Sequence, residues 1–207
     1  MTRPAPHMNC LAAGRQGLLV ELRDPADVMR LYAELRRRRP AGIVDIVPAA
    51  RTVLLTGPGA RELAEALPAW PLPEPVAMET SQLEIPVVYD GADLAEVAEG
   101  CGLSVAQLVE CHAQARYRVA FCGFMPGFGY LEGLPPALHR PRRDTPRTQV
   151  PAGSVAIAGR YAGVYPRASP GGWHLLGRTA LELWNPQRQP PARLSPGTSV
   201  RFVPVAP

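Results

Sequence analysis

The stretch from Phe121 to Trp184 holds a disproportionate share of the arginine, aromatic, glycine and proline residues of this 207-residue chain. Residues 121–207 carry 10 Arg against 3 acidic residues, whereas residues 1–120 carry 12 Arg against 15 acidic residues. A strongly basic half of a chain predicts an anionic ligand, an anionic substrate or an acidic partner surface. Scattered, solvated arginines are the alternative explanation.

All 22 basic residues are arginine, and none is lysine. The absence of lysine excludes three kinds of site from this chain: a Schiff-base lysine, a biotinyl-lysine and a complete Walker A phosphate loop. The glycines at 57 and 59 flank a proline and are followed by neither Lys nor Ser/Thr, so this segment predicts a turn.

Cys111 and His112 are adjacent, a pairing that could indicate a metal site or a nucleophile pair. Neighbouring side chains on a helix point about 100° apart, so we predict no metal here. The cysteines form no C-x-x-C pair and are predicted to be free thiols; they are Cys10, Cys101, Cys111 and Cys122. His112 is predicted either to be a buried, hydrogen-bonded helix residue or to serve the basic half as an acid-base group.

The elements that must position these residues are short strands joined by tight turns. Turn-forming Pro and Gly recur at 126–127, 135–136, 151–153 and 170–172, with apolar runs between them. Residues 199–203 alternate apolar and polar side chains, as a closing strand would. This pattern predicts a small barrel or sandwich whose loops carry the chemistry.

The first half shows a different order of elements. Strands are predicted at 17–22, 43–47, 52–56 and 83–89, with an amphipathic helix beginning near Asp24-Pro25 and a second helix after Gly59. The order β-α-β-β-α-β is the ferredoxin-like pattern, which predicts a first domain of about 80 residues. The arginine run 36–39 at the end of the first helix suits the helix dipole better than it suits a nucleic-acid patch.

Residues 93–116 predict two helices joined by a turn at Gly100-Cys101-Gly102, an arrangement that looks like a DNA-binding helix-turn-helix. Ser104 and Gln107 have the spacing of a capping box for the second helix. That helix offers few of the side chains that reach bases and phosphates. A structural helical hairpin is therefore the preferred interpretation, and no nucleic-acid partner is expected.

Composition limits the location of the protein. No run of about 18 apolar residues occurs, so no membrane span is expected. The first 14 residues contain only a brief apolar piece, so we do not expect a signal peptide. Cytoplasm is the expected compartment.

Eight motifs of the second half occur in the order found in one protein family. They are I-P-V-V-Y-D at 85–90, Y-R-V at 117–119 after His112, F-M-P-G-F-G-Y-L at 124–131, P-R-R-D-T-P-R at 141–147, P-A-G-S-V at 151–155, V-Y-P at 164–166, S-P-G-G-W at 169–173 and G-R-T at 177–179. On these motifs the chain resembles the family that includes the B-type subunit of 5-oxoprolinase, allophanate hydrolase subunit 1 and a sporulation-kinase inhibitor. It is also similar to subdomains C and D of the carboxyltransferase domain of urea carboxylase. The likeness is in register over about residues 85–203.

The resemblance implies an α+β chain of two domains. Residues 1–84 would form a ferredoxin-like domain, and residues 85–207 a cyclophilin-like β-barrel that carries the helical hairpin 93–116. It also implies partners, namely a homologous, larger barrel subunit and, in the 5-oxoprolinase system, a third subunit. The complete enzyme opens 5-oxo-L-proline to L-glutamate at the expense of ATP, and this subunit alone would be inactive.

The implied substrate is a lactam that bears a carboxylate, and ATP could activate it by phosphorylating the lactam oxygen. Such chemistry needs cationic side chains against carboxylate and phosphoryl oxygens, with donors for developing charge. The candidate residues are Arg142, Arg143, Arg147 and Arg178 as cationic groups, Ser154, Ser169 and Tyr165 as donors, Phe128 and Trp173 as pocket walls, and His112 as acid-base group. Of these, His112, Arg147 and Tyr165 are the catalytic candidates. Since no nucleotide-binding motif is visible, ATP is expected mainly on a partner subunit.

Two other functions remain open. One is a carboxyltransferase-type subunit acting on urea or a similar amide, and the other is a non-catalytic histidine-kinase inhibitor that docks through the apolar loop 124–134. The kinase hypothesis expects Phe128 to be exposed. The chain also departs from the family pattern at Tyr161, Ala162, Ala180 and Thr198. Because the usual Gln at 161 is a plausible ligand-facing residue, the identity of the substrate is the point most affected.

Overall fold

The computed structural model describes residues 6–72 and 82–207, which fall into two compact units on either side of the gap. The predicted boundary, between residues 84 and 85, lies a few residues later in the chain. Part of the first predicted domain, residues 1–5 and 73–81, lies outside the described residues.

The first unit is a four-stranded antiparallel sheet with one helix. Its elements are β1 (Met8–Ala13), β2 (Gly17–Leu22), α1 (Pro25–Arg38), β3 (Asp45–Pro48), β4 (Thr52–Thr56) and two 3-10 turns (Arg61–Ala64 and Leu67–Ala69). The strand order is β1-β2-β4-β3, so β4 lies between the two strands that α1 connects. Leu31 and Leu35 of α1 are fully buried against Val20, Val53 and Leu55 of the sheet, which forms the core of this unit.

Helix α1 begins and ends where the sequence predicts. The Asp24 side chain accepts the Ala26 amide at 2.9 Å, and Pro25 occupies the first turn. The arginine run has local partners: Arg37 and Arg38 donate to the buried Glu34, and Arg38 also lies 4.1 Å from the centroid of the Trp70 ring. These contacts agree with the preference for a structural arginine cluster.

The strand predicted at 83–89 does not complete the first sheet. It forms β5 (Gln82–Val87), which pairs with the last strand of the second unit. The edge position beside β2 is occupied by β1, which the sequence analysis did not predict, and the predicted second helix consists only of the two 3-10 turns. The ferredoxin-like assignment therefore stays a prediction.

The second unit is a mixed β-sheet that curls into a nearly closed barrel. Its elements are β5, α2 (Leu94–Gly100), α3 (Val105–Gln114), β6 (Tyr117–Cys122), β7 (Gly129–Glu132), a 3-10 turn (Pro136–Leu138), β8 (Arg147–Val150), β9 (Ser154–Ala158), β10 (Tyr161–Val164), β11 (Ser169–Gly171), β12 (His174–Arg178) and β13 (Ser199–Pro204). The strand order is β12-β9-β10-β7-β6-β13-β5, and β8 pairs with β11 as a separate ribbon.

The barrel closes where β5 meets β12. Val88 and Arg178 exchange two backbone hydrogen bonds of 2.9 Å, which join the two edges of the seven-stranded sheet. The interior is filled by apolar side chains that alternate along the strands, among them Val119, Leu131, Val155, Ala162 and Phe202. A barrel predicted from short strands and frequent turns is confirmed at this level.

Helices α2 and α3 occupy the segment predicted to be a helical hairpin. The predicted capping box is present, since Ser104 accepts the Gln107 amide and Gln107 accepts the Ser104 amide. Leu108 and His112 are the buried residues of α3. Among the described residues, no helix combines the length and the apolar character needed to cross a bilayer.

Candidate functional site

Two of the predicted arginines are held side by side by one buried carboxylate. Arg147 donates to both oxygens of Asp93, at 2.9 and 2.7 Å, and Arg143 donates to Asp93 Oδ1 at 2.7 Å. Asp93 is only 1% exposed, whereas the side chains of Arg143 and Arg147 are about a quarter exposed, at 27% and 26%. The carboxylate thus anchors both guanidinium groups and leaves each side chain partly exposed, although Arg143 Nε is buried and has no hydrogen-bond partner among the described residues.

The charge of Asp93 is stabilised by its hydrogen bonds. Burial by itself would raise the pKa of this carboxyl. The hydrogen bonds from Arg147 and from the Leu175 amide, together with the charges of both arginines, outweigh burial and hold the pKa of Asp93 below its ordinary value. Asp93 is therefore ionised, and the Asp93 cluster (Asp93, Arg143 and Arg147) contains two positive charges against one buried negative charge, with the exposed Glu96 accepting from Arg143 at 3.3 Å at its edge.

The loop that carries the arginines is fastened to the chain before β12. The Arg143 amide donates to the Gly172 carbonyl at 2.8 Å, and His174 Nε2 donates to the Pro141 carbonyl at 3.0 Å. Further along, β8 pairs with β11 so that Arg147 stands opposite Gly171. These bonds fix the path of residues 141–147, and with it the positions of Arg142 and Arg143.

Tyr165 lies against this ribbon. Its hydroxyl oxygen would be only 2.4 Å from a Cβ placed on Gly171, so the glycine makes room for the ring. Burial raises the pKa of the hydroxyl, while the positive charges of Arg142 and Arg147 act to lower it. Tyr165 therefore lies close enough to Arg142 and Arg147 for their positive charges to act on its hydroxyl. At neutral pH the hydroxyl is uncharged and can donate a hydrogen bond.

The predicted wall residues belong to an aromatic cluster. Phe128 packs edge-to-face on Trp173, with ring centroids 5.4 Å apart, and on Tyr165 at 5.5 Å. Phe128 is 1% exposed, so the expectation that it would be an exposed docking residue is wrong. The exposed aromatic residue of this loop is Phe124, which is 58% exposed and has a positive φ of 67°.

Three predicted residues serve local structure elsewhere. The Ser154 hydroxyl is buried and donates to the Pro151 carbonyl at 2.8 Å, and the Ser169 hydroxyl donates to the neighbouring Pro170 carbonyl at 3.2 Å. Arg178 stands at the barrel seam, where its Nε donates to Asp90 at 2.8 Å. None of these three side chains bonds to the Asp93 cluster.

His112 lies in the barrel core. It is fully buried, stacks on Phe202 with ring centroids 4.6 Å apart, and shares a 2.8 Å hydrogen bond between its Nδ1 and the Tyr89 hydroxyl. Burial lowers the pKa of His112 to about 3, so it is neutral at physiological pH. This position corrects the acid-base expectation, because a neutral imidazole among aromatic rings has no contact with the arginines or with solvent.

Asp93 is the residue that the sequence analysis missed. An acidic residue just before a helix is commonly an N-cap. Asp93 precedes α2 but makes no side-chain cap bond, and its oxygens face residues about 50 positions later in the chain. The sequence offered one signal, an excess of arginines at 141–147 that Asp144 alone could not neutralise.

The departures from the family pattern occupy different environments. Tyr161 is half-buried on the outside of the barrel, where its ring packs on Phe121 and Tyr130. Ala162 is buried in the barrel core, and the Thr198 side chain bonds to Ser195 within a turn. Of these three residues, only Tyr161 could reach a ligand.

The cysteines and other potential metal ligands do not converge. All four cysteines are free, as predicted. Within residues 6–72 and 82–207, no group of three or more His, Cys, Asp and Glu side chains could hold a metal ion.

The chain is similar to known proteins over most of its length. Residues 8–194 match the family described as carboxyltransferase domain, subdomain C and D. The chain belongs to this family. Within it, the B-type subunit of 5-oxoprolinase from Escherichia coli O157:H7 is 45% identical, in an alignment that covers 94% of this chain and 95% of that protein.

Two solved structures place the carboxyltransferase-domain fold in larger chains. The structure of TTHA0988 has a TM-score of 0.78 and 37% identity; the likeness covers 93% of this chain, which spans only 40% of that chain. The urea carboxylase of Kluyveromyces lactis has a TM-score of 0.73 at 21% identity, and the likeness covers all of this chain and 22% of that one. At that identity, the second likeness shows the fold alone.

Proposed function

We propose that this chain is a subunit of an ATP-dependent 5-oxoprolinase that opens 5-oxo-L-proline to L-glutamate. The observation that carries the proposal is the Asp93 cluster, which presents two fixed guanidinium groups beside Tyr165. Its support in sequence is the likeness to the B-type subunit of 5-oxoprolinase along nearly the whole length of both proteins. The name of the relative indicates the reaction, and the Asp93 cluster is a site where an anionic substrate could bind.

The chemistry assigns a task to each group. Transfer of the γ-phosphoryl group of ATP to the lactam oxygen activates the ring carbon, and water then adds to that carbon. The tetrahedral intermediate breaks its carbon–nitrogen bond as the nitrogen takes up a proton, which opens the ring to γ-glutamyl phosphate. A second water hydrolyses this acyl phosphate, so the products are glutamate, ADP and phosphate. Arg142, Arg143 and Arg147 would bind the carboxylate and phosphoryl oxygens, because guanidinium groups suit paired hydrogen bonds to such anions. Tyr165 would donate to developing negative charge.

The packing and hydrogen bonds of the other candidate residues indicate which of them could serve the site. Phe128 and Trp173 would form the apolar wall behind Tyr165, since both rings pack on that cluster. Ser169 stays a candidate donor because it lies in β11, in the ribbon with Arg147, although its hydroxyl bonds locally. His112, Ser154 and Arg178 are assigned structural roles, since their polar atoms are engaged away from the Asp93 cluster.

The remaining partners would be on other chains. We place ATP mainly on a partner subunit, because this chain has neither lysine nor a phosphate-loop motif. The relative is itself named as a subunit, which supports a hetero-oligomer. For that assembly we propose a larger homologous barrel subunit and a third subunit in the cytoplasm. The chain alone would be inactive.

The two units would correspond to the two proposed domains. A ferredoxin-like origin of residues 1–84 is supported by the β2-α1-β3 connection with β4 between its strands, and a cyclophilin-like barrel over 85–207 by the nearly closed mixed sheet. In this proposal β1 occupies the sheet edge where the ferredoxin-like pattern would have its last strand, which here is β5 of the second unit.

Reconstitution tests the proposed function. The chain, its homologous barrel subunit and the third subunit would be purified together, and glutamate release from 5-oxoproline would be measured with ATP, without ATP and with each subunit omitted. We expect release only with all components. A complex that assembles fully yet releases no glutamate would contradict the proposal, and urea-type amides would then be tried because of the urea carboxylase fold.

One observation favours a second candidate function. Phe124 projects from the loop before β7 with 58% of its surface exposed, a feature that a docking surface for a histidine kinase would need. If the chain is a non-catalytic inhibitor, Phe124→Ala abolishes kinase binding while Arg147→Ala does not. If Arg147→Ala abolishes glutamate release while Phe124→Ala does not, the chain is an enzyme subunit.

A further inference from the structure

A cavity of about 590 Å³ opens on the second unit, and none of its lining residues belongs to the Asp93 cluster. Its volume lies in the range of small-molecule sites, roughly 300–1,000 Å³. The lining comes from the start of β6, the end of β7, the 133–139 loop, the turn before β10 and the start of β13. It consists of Arg116, Tyr117, Arg118, Glu132, Gly133, Leu134, His139, Arg160 and Ser199.

The cavity is basic, and its arginines are available. Arg116, Arg118 and Arg160 face a single carboxylate, that of Glu132. Among the described residues, the side chains of Arg116 and Arg118 make neither a hydrogen bond nor an ion pair, although Glu132 stands opposite Arg118 in the β6–β7 register. Arg160 donates to the Tyr161 hydroxyl at 3.2 Å, and its guanidinium carbon lies 5.1 Å from the centroid of that ring. This contrasts with the Asp93 cluster, where a carboxylate engages both arginines.

The wall of the cavity is built from tightly fitted backbone. Gly133 has a φ of 104°, and a Cβ at this position would stand 2.2 Å from the Arg116 carbonyl oxygen. His139 Nε2 donates to the Leu134 carbonyl at 2.9 Å and ties the two ends of the 134–139 loop together. The backbone from which the three arginine side chains project is therefore held by strands and tight turns, and the side chains of Arg116 and Arg160 are exposed to an incoming ligand.

We propose that this cavity is a second anion site, which binds the phosphate groups of a small molecule. Guanidinium groups without an acidic partner form short, charge-assisted hydrogen bonds with phosphate oxygens. A pyrophosphate or polyphosphate unit would offer enough oxygens for three arginines, and its charge would exceed the single charge of Glu132. The site concerns binding alone and does not depend on the proposed lactam opening.

Isothermal titration of the full chain with pyrophosphate, ATP and glutarate tests the proposal. Pyrophosphate is expected to bind, and its affinity should fall with added salt because the contacts are ionic. Arg118→Ala and Arg160→Ala should each weaken binding about tenfold or more, from the loss of a charge-assisted hydrogen bond. Arg15→Ala, which removes an exposed arginine from the β1–β2 turn of the first unit, should leave the affinity within about twofold.

The outcomes separate the ligand classes. Equal affinity for ATP and pyrophosphate assigns the site to phosphate groups alone, and tighter binding of ATP assigns it to a nucleotide; both support the proposal. No binding of either, equal binding of glutarate, or affinities unchanged in folded Arg118→Ala and Arg160→Ala would overturn it. Amide shifts of Gly133 and Ser199 in a nuclear magnetic resonance titration would locate the ligand. Because no turnover is measured, these results leave the proposed function to its own test.

Discussion

At the scale of single residues, the orientation of the predicted arginines depends on Asp93. The carboxylate is buried and accepts from two guanidinium groups and one backbone amide. A buried carboxylate is costly unless it is paired and fully hydrogen-bonded, and here the partners meet that condition. The pairing restrains two long side chains and thereby lowers the entropy that they would lose on binding a substrate.

Replacing Asp93 with Asn should disturb both arginines at once. We expect the free energy of unfolding to fall by about 3 kcal/mol, the lower end for a broken buried ion pair, since Arg143 and Arg147 keep some solvent access. The matched control is Glu96→Gln, which removes an exposed carboxylate 3.3 Å from Arg143 and should change stability by less than about 0.5 kcal/mol. Urea unfolding measures both variants, and equal losses would contradict the assignment.

Glu34 makes the free energy of unfolding of the first unit depend on pH in the acidic range. The hydrogen bond from Arg37, supported by Arg38, lowers the pKa of the buried Glu34 to about 2 despite desolvation. Since the folded-state pKa is depressed, the contribution to stability is complete above the unfolded value, about 4.3, and is lost as pH falls toward 2.

Unfolding of wild type and Glu34→Gln should therefore be compared by urea titration between pH 2 and 7. We expect the wild type to be the more stable above pH about 5, with the difference shrinking as the solution becomes more acidic. Glu62→Gln removes an exposed glutamate and controls for the loss of one negative charge. If the difference in the free energy of unfolding between wild type and Glu34→Gln stays constant with pH, the ion pairs of Glu34 do not cause the difference.

Residue types predicted part of the site, but their partners did not follow from the sequence. Arg143 and Arg147 were predicted from the basic half of the chain and the family motif. Asp93 was missed because its partners lie about 50 residues away. For His112 the sequence left open a buried helix residue and an acid-base group, because its burial depends on Phe202 of the last strand. Burial and pairing between distant segments arise only from tertiary contacts.

At the scale of elements, the β8–β11 ribbon positions Arg147 against Tyr165. Gly171→Ala would place a Cβ 2.4 Å from the Tyr165 hydroxyl, so either the ring or the ribbon must shift. We expect glutamate release by the reconstituted complex to fall about tenfold or more, because misplacing catalytic groups is costly. Gly172→Ala is the control, since its nearest contact outside its chain neighbours would be 3.6 Å. Equal activity of the two variants would contradict a role for the ribbon.

Element types were easier to predict than their pairings. Apolar-polar alternation at 199–203 and the β-branched residues at 52–56 predicted β13 and β4. The partner predicted for β5 was wrong, because the sequence of a short apolar strand does not indicate which sheet the strand joins. The parallel pairing of β5 with β13 joins residues more than 100 positions apart, beyond the reach of local patterns.

At the scale of the whole molecule, the two proposed anion sites both lie in the barrel unit. This unit contains the Asp93 cluster and the cavity of Arg116, Arg118 and Arg160, whereas in the first unit Arg37 and Arg38 donate to the buried Glu34. Within the described residues, we therefore assign anion binding to the barrel. The barrel could be predicted from turns and short strands, and the family from motifs over 85–203.

We propose above that the Asp93-anchored arginines of this barrel bind the anionic substrate of an ATP-dependent lactam hydrolase. The most direct measurement is the rate of glutamate release by the fully assembled complex containing Arg147→Ala, compared with Arg178→Ala, which removes an exposed arginine at the barrel seam. We predict a loss of about 100-fold or more for Arg147→Ala and less than about fivefold for Arg178→Ala. A complex with Arg147→Ala that assembles normally and keeps the wild-type rate would contradict the claim.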